Sequence, residues 1–96
     1  MAKQKTTDYS KSGIEKLPND KPVAYKIKTS AGNTNYTGSA KRGRVQERLK
    51  EHLPGGKDHI PGARIQIQQH PTIRDAQRFE RNSIKQTKPK YNKRGK

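Results

Sequence analysis

Cysteine is absent from these 96 residues, so disulfides and thiolate metal sites are excluded and the redox compartment goes unmarked. Tryptophan is absent too, and hydrophobic residues make up only 25% of the chain, so any core must be small and built from few side chains. No apolar run approaches the length of a signal-peptide core or a membrane span. A cytoplasmic location without a membrane partner is the resulting expectation. Acids are scarce as well: eight Asp and Glu stand against 23 Lys and Arg, a formal net charge of +15. A domain this basic repels itself unless a polyanion is near, which makes nucleic acid the leading partner, with DNA first and RNA left open. No Ser/His/Asp order, phosphate-binding Walker loop or paired-carboxylate signature is present.

What the chain does contain is short periodic groups of aliphatic residues from Val23 onward, enough for one domain. Residues 1–20 are polar, lack periodicity and end in the Pro18-Asn19-Asp20 turn signal, so they read as a flexible arm. That arm has a net charge of +1, leaving +14 on residues 21–96. Pro22 to Thr29 alternates, with Val23, Tyr25 and Ile27 pointing one way, as in a half-buried strand. Ser30 to Asn33 reads as a turn and Thr34 to Gly38 as the returning strand. Gly38 marks either the stop of that strand or a place for a phosphate to approach.

A first helix is expected over Arg42 to Leu53, where Val45, Leu49 and Leu53 form one apolar stripe, and Pro54-Gly55-Gly56 ends it. Ala63 to Gln68 alternates as a third strand. Thr72 is a natural N-cap for a second helix, with Asp75 three residues on, and Lys88-Pro89 stops it. The expected fold is α+β: a three-stranded antiparallel sheet with flanking helices, in the order strand, strand, helix, strand, helix.

Glu80 is the informative residue. At 100° per residue, Ile73, Ala76, Phe79, Ser83, Ile84 and Thr87 share one side of the second helix, and Glu80 lies within that arc. An inward carboxylate needs a partner. Two readings fit: an ion pair to Arg48 or Arg81, or a hard divalent cation such as Mg²⁺ or Mn²⁺, which needs only one or two carboxylates when substrate phosphate and water complete its shell. Arg44, Arg48 and His52 make a stripe beside the apolar one, where a guanidinium could be anchored yet reach a phosphate; a solvated basic face explains them equally. Tyr25 and Tyr36 fall on adjacent strands, as packing residues or as a hydroxyl pair. His59 and His70 have no ligand-like partner.

The segments Val23-Ala24-Tyr25-Lys26-Ile27, Asn35-Tyr36-Thr37-Gly38-Ser39-Ala40 and Arg48-Leu49-Lys50-Glu51-His52 resemble the GIY-YIG endonuclease domain. Asp75-Ala76-Gln77-Arg78-Phe79-Glu80 and Lys88-Pro89-Lys90-Tyr91-Asn92 are similar to that family's glutamate helix and late asparagine motif. The likeness covers residues 22 to 96. The first element lacks its glycine, and the stretch from Tyr36 to Arg48 is slightly long.

The resemblance implies a single-metal phosphodiester hydrolase acting on DNA. Its catalytic set would be Tyr25, Tyr36, Arg48, His52 and Glu80, with Glu80 the metal ligand and Asn92 supporting it. Tyr25 would take the proton from the attacking water, its pKa lowered by nearby cations. Lys26, Lys41, Arg42, Arg44, Lys90, Lys93 and Arg94 would grip the backbone without regard to sequence. A surface this small reads bases poorly, so specificity would come from a dimer or a larger partner, if at all. The rival from another class is a non-catalytic basic nucleic-acid-binding protein.

Overall fold

The strand Val23–Lys28 follows from its alternation: Tyr25 and Ile27 are wholly buried on one side while Lys26 and Lys28 keep partial exposure on the other. A computed structural model of the chain describes residues 4–53, 55–56 and 59–88. Along it run β1 (Gln4–Asp8), α1 (Lys11–Glu15), β2 (Val23–Lys28), β3 (Thr34–Ala40), α2 (Val45–Lys50), β4 (Arg64–Gln69) and α3 (Ile73–Thr87). The strands form one antiparallel sheet of four, ordered β1-β4-β2-β3. The mixed α+β class and flanking helices match expectation; the fourth strand does not.

That extra strand comes from the stretch read as an arm. Gln4–Asp8 pairs along the whole of β4, from Gln4 opposite Gln68 to Asp8 opposite Arg64. Ser10 then caps α1 by accepting from the Gly13 amide at 3.1 Å, and Ile14 and Leu17 enter the core. An edge strand contributes mainly backbone hydrogen bonds, so it needs no apolar alternation of its own. Ile14 and Leu17, outside any periodic group, were therefore the aliphatic sign that residues 4–20 fold.

Side chains alternate across the sheet to give two layers. One face carries Val23, Tyr25, Ile27, Ile65 and Ile67, which pack with Ile14 and Leu17 from the α1 region and Val45 and Leu49 from α2. The other face carries Ala24, Thr37 and Ser39 and is covered by α3, whose Ala76 and Ser83 are buried.

Helix α2 is shorter than the Arg42–Leu53 span expected. Gly43 has φ +83°, which breaks the helix before Arg44, and the His52 and Leu53 amides bond three residues back, closing a tighter last turn. Helix α3 starts as expected: Thr72 accepts from the Asp75 amide at 3.1 Å. It ends at Lys88 in the left-handed region, φ +47°. No helix among the described residues is long and apolar enough to cross a membrane.

Truncating Ile14 to alanine should lower the unfolding free energy by about 2–5 kcal/mol, as for any buried isoleucine. Denaturant unfolding that leaves Ile14→Ala equal to the parent would remove residues 4–20 from the core.

Candidate active site

β3 is a sheet edge, and Gly38 in it stands opposite Tyr25 of β2. A Cβ built on Gly38 would meet the Tyr25 hydroxyl at 2.6 Å, its Cζ at 2.7 Å and Tyr36 Cε2 at 2.9 Å. The Tyr25 ring thus lies across the strand at the one position without a side chain and delivers its hydroxyl toward the edge. Gly38 does not stop the strand, which runs on to Ala40; in this structure the neighbour that needs the space is a phenol.

Tyr36, one pleat along from Gly38 on the same face, brings its ring to 6.2 Å from that of Tyr25 and 4.9 Å from that of His52, centroid to centroid. The Tyr25 hydroxyl and His52 Nε2 are hydrogen-bonded at 2.8 Å. Tyr25 and His52 are both 0% exposed, whereas Tyr36 is half-buried. His52 is therefore inside the core, deeper than the border position its stripe predicts, because the tight last turn of α2 rotates it inward.

Helix α2 carries Arg48, with His52 in the turn that follows it, and the segment preceding β2 holds the two at both ends. Arg44 supplies no capping side chain; instead Asn19 Oδ1 accepts from the Val45 amide at 2.9 Å and the Gln46 amide at 3.3 Å. At the other end the Tyr9 hydroxyl bonds the His52 carbonyl and also lies 2.7 Å from the Ile60 carbonyl. Gln46 Nε2 donates to the Leu17 carbonyl at 2.7 Å. Asn19 and Tyr9 thus position the site without any local motif to announce them; the Pro-Asn-Asp signal is compatible with an ordinary turn.

Arg48 donates to Glu51 Oε1 at 2.6 Å. Burial on its own would depress its pKa, but Tyr25, the Glu51 hydrogen bond, Tyr36 and the Glu51 charge raise it above the ordinary guanidinium value. The guanidinium is close enough to Tyr25 to act on its phenol. Expectation fails at Tyr25: its pKa is raised well above 10.0, not lowered. Burial is the largest cause, Tyr36 and the Glu80 carboxylate add to it, and Arg48 opposes it by charge and hydrogen bond without prevailing. At neutral pH Tyr25 is a neutral phenol.

Glu80 approaches from the α3 layer. Its Oε1 accepts from Ser39 Oγ at 2.8 Å, and it is half-buried. Ser39 follows Gly38 and points to the opposite face, so Glu80 comes to the same stretch of edge as Tyr25 and acts electrostatically on its hydroxyl. Among the described residues Glu80 is in no ion pair: Arg48 pairs with Glu51, and Arg81 is exposed. Nor does any group of three or more His, Cys, Asp or Glu stand together there.

Of the basic residues expected to grip a backbone, Lys41 and Arg42 are exposed just beyond the end of β3. Arg44 is tied to Glu47 at 2.6 Å. Lys26 lies on the α3 side, its ammonium 5.6 Å above the Phe79 ring centroid, with its pKa lowered by burial and by Lys28. Lys90, Asn92, Lys93 and Arg94 lie outside the described residues.

Residues 21–92 match the family model described as the GIY-YIG catalytic domain. The chain is also similar to the UvrABC system protein C of two strains of Bacteroides fragilis, one of them YCH46, at 33% identity over 97 residues. That alignment takes in 92% of this chain and 15% of each relative, so the chain spans only a small part of their length.

Two outcomes follow from the geometry at Gly38. Gly38→Ala should cost about 1–3 kcal/mol of stability by overpacking. In the parent, one phenol should titrate late in an alkaline absorbance titration. The unfolded chain releases that proton near 10.0, before the folded one does, so stability should fall as pH rises from there toward the folded value. Tyr25→Phe should remove this loss; an unaltered alkaline stability profile in that variant would assign it to another group.

Proposed function

We propose that this chain, which belongs to the GIY-YIG catalytic-domain family, is a metal-dependent endonuclease hydrolysing phosphodiester bonds of DNA. The observation that carries the reading is that the Tyr25 hydroxyl lies against Gly38 while the next residue of β3, Ser39, holds the Glu80 carboxylate at 2.8 Å, with the Arg48 guanidinium near enough to act on the phenol. A phenol, a fixed cation and a carboxylate can supply the proton transfer, charge stabilisation and metal ligation that phosphodiester hydrolysis uses.

Glu80 fits a Mg²⁺ or Mn²⁺ ion as its single carboxylate ligand. One of its oxygens is oriented by Ser39, and Mg²⁺ commonly keeps several waters and takes substrate phosphate in place of further protein ligands. Bound there, the ion would neutralise charge on the scissile phosphate and on the leaving 3′ oxygen. Arg48 stabilises the pentacovalent phosphorane, its fork matching two phosphate oxygens. Glu51 keeps that fork aimed.

The neutral Tyr25 changes the expected proton route. Burial disfavours the phenolate, which supports a coupled transfer in which the phenol gives up one proton as it takes another. The route assigns the Tyr25 hydroxyl as donor to His52 Nε2, 2.8 Å away, which requires the imidazole to carry its own proton on Nδ1. As the attacking water loses a proton to the Tyr25 oxygen, the phenolic proton passes to His52 Nε2. The hydroxide oxygen bonds phosphorus and the bond to the 3′ oxygen breaks. Tyr36, the half-buried ring of the cluster, orients the water, and Asn92 supports the Glu80 region. DNA as substrate, any dimer on it and a cytoplasmic location belong to the same proposal.

Plasmid DNA incubated with the protein and Mg²⁺ should be cleaved, and chelator should stop it. Glu80→Ala should abolish cleavage while keeping DNA binding, and Arg48→Lys should slow it about 10²-fold or more. Binding unchanged by chelator, with no strand cleavage by any form of the protein, would instead establish the non-catalytic binder.

A further inference from the structure

Helix α3 has a second face that the active site does not use. Arg74, Arg78, Arg81 and Lys85 recur at intervals of four, three and four residues, and Lys88 extends the series at the C-cap. Such spacing sets them in one row along the helix. All five are exposed, and the row lies opposite Ala76 and Ser83, the residues α3 buries against the sheet.

The row contains no acid. The two carboxylates of α3 are turned elsewhere: Asp75 acts on His70 and Glu80 accepts from Ser39. In α2 the arrangement is different, for Arg44 and Arg48 each meet a glutamate three residues on. A solvated basic helix face normally mixes signs as α2 does, because like charges at i,i+3 and i,i+4 oppose one another. In α3 the repulsion runs the length of the row with nothing among the described residues to relieve it.

We infer that this row is a docking rail for the phosphate backbone of duplex DNA. From Arg74 to Lys85 the rail is about 17 Å long at 1.5 Å per residue. One strand of a duplex presents a phosphate about every 3.4 Å of axis, so the rail spans about five of them. Glu80 sits on the same rigid helix, immediately before Arg81. A duplex bound along the row is therefore held in a constant relation to the carboxylate at the β3 edge. The inference rests on the reading of the chain as a DNA-cleaving enzyme.

The test compares two charge-matched triple variants of the full chain. Arg74→Gln, Arg78→Gln and Arg81→Gln together remove three charges from the rail. Lys11→Gln, Lys16→Gln and Lys21→Gln remove three from exposed positions in and beside α1, which packs on the opposite layer. Duplex binding is read by fluorescence anisotropy in chelator over a range of salt, after thermal melting has checked that both variants fold. Each lost phosphate contact should reduce the slope of log K against log salt by about 0.9, so the rail variant should lose about 2–3 and the α1 variant little.

Equal losses in both variants would overturn the rail while leaving cleavage by the parent, and hence the enzymatic reading, intact. A parent that neither binds nor cuts duplex DNA would overturn both. Rail-dependent binding confined to single strands or to RNA would overturn the duplex assignment.

Discussion

The site depends on one close approach: the Tyr25 ring crossing the edge strand over the bare backbone of Gly38. In a sheet with helices on both faces, groups in the two layers are normally separated by the pleated backbone and the side chains on it. Here the edge and the missing Cβ let a phenol from the α2 layer reach the place where a carboxylate arrives from the α3 layer. Any side chain at 38 would push the ring back or aside. The nearness of Tyr25 to Glu80 across the edge follows from that crossing.

Polar burial has a cost, and the structure meets it by pairing. Tyr25 and His52 are wholly enclosed, which would be unfavourable for either alone; the hydrogen bond between them satisfies one polar atom of each. Enclosure also gives the pair its chemical character, since a desolvated phenol resists ionisation. Arg48 opposes that tendency and sets its limit. The balance of the three, rather than any one side chain, defines the site.

Helix α2 is too short to hold its own orientation, and α3 is long enough to be rigid. The short helix is fixed by contacts from outside it, Asn19 at its start and Tyr9 just past its end, so a segment lying before the family-matched region helps position the candidate site. The long helix needs no such help. Capped by Thr72 and closed by Lys88, it presents Glu80 on one flank and a continuous row of cations on its back. One element thereby carries both the carboxylate proposed as a metal ligand and the row proposed to meet DNA.

Local pattern alone determined much of this protein. Alternation placed β2, β3 and β4, the four-residue stripe placed α2, and Thr72 with Lys88 bounded α3, because period and capping are properties of neighbours in the chain. The same logic turned Glu80 inward and put Arg48 beside the apolar stripe. Tertiary structure alone decided the rest. Gln4–Asp8 is a strand because β4 offers it an open edge, Asn19 is a cap because α2 starts 26 residues later beside it, and Gly38 is obligatory because of a ring from another strand. The sign of the Tyr25 shift was also hidden: composition is rich in cations, which favour phenolate, but burial outweighs them, and burial exists only once the chain has folded.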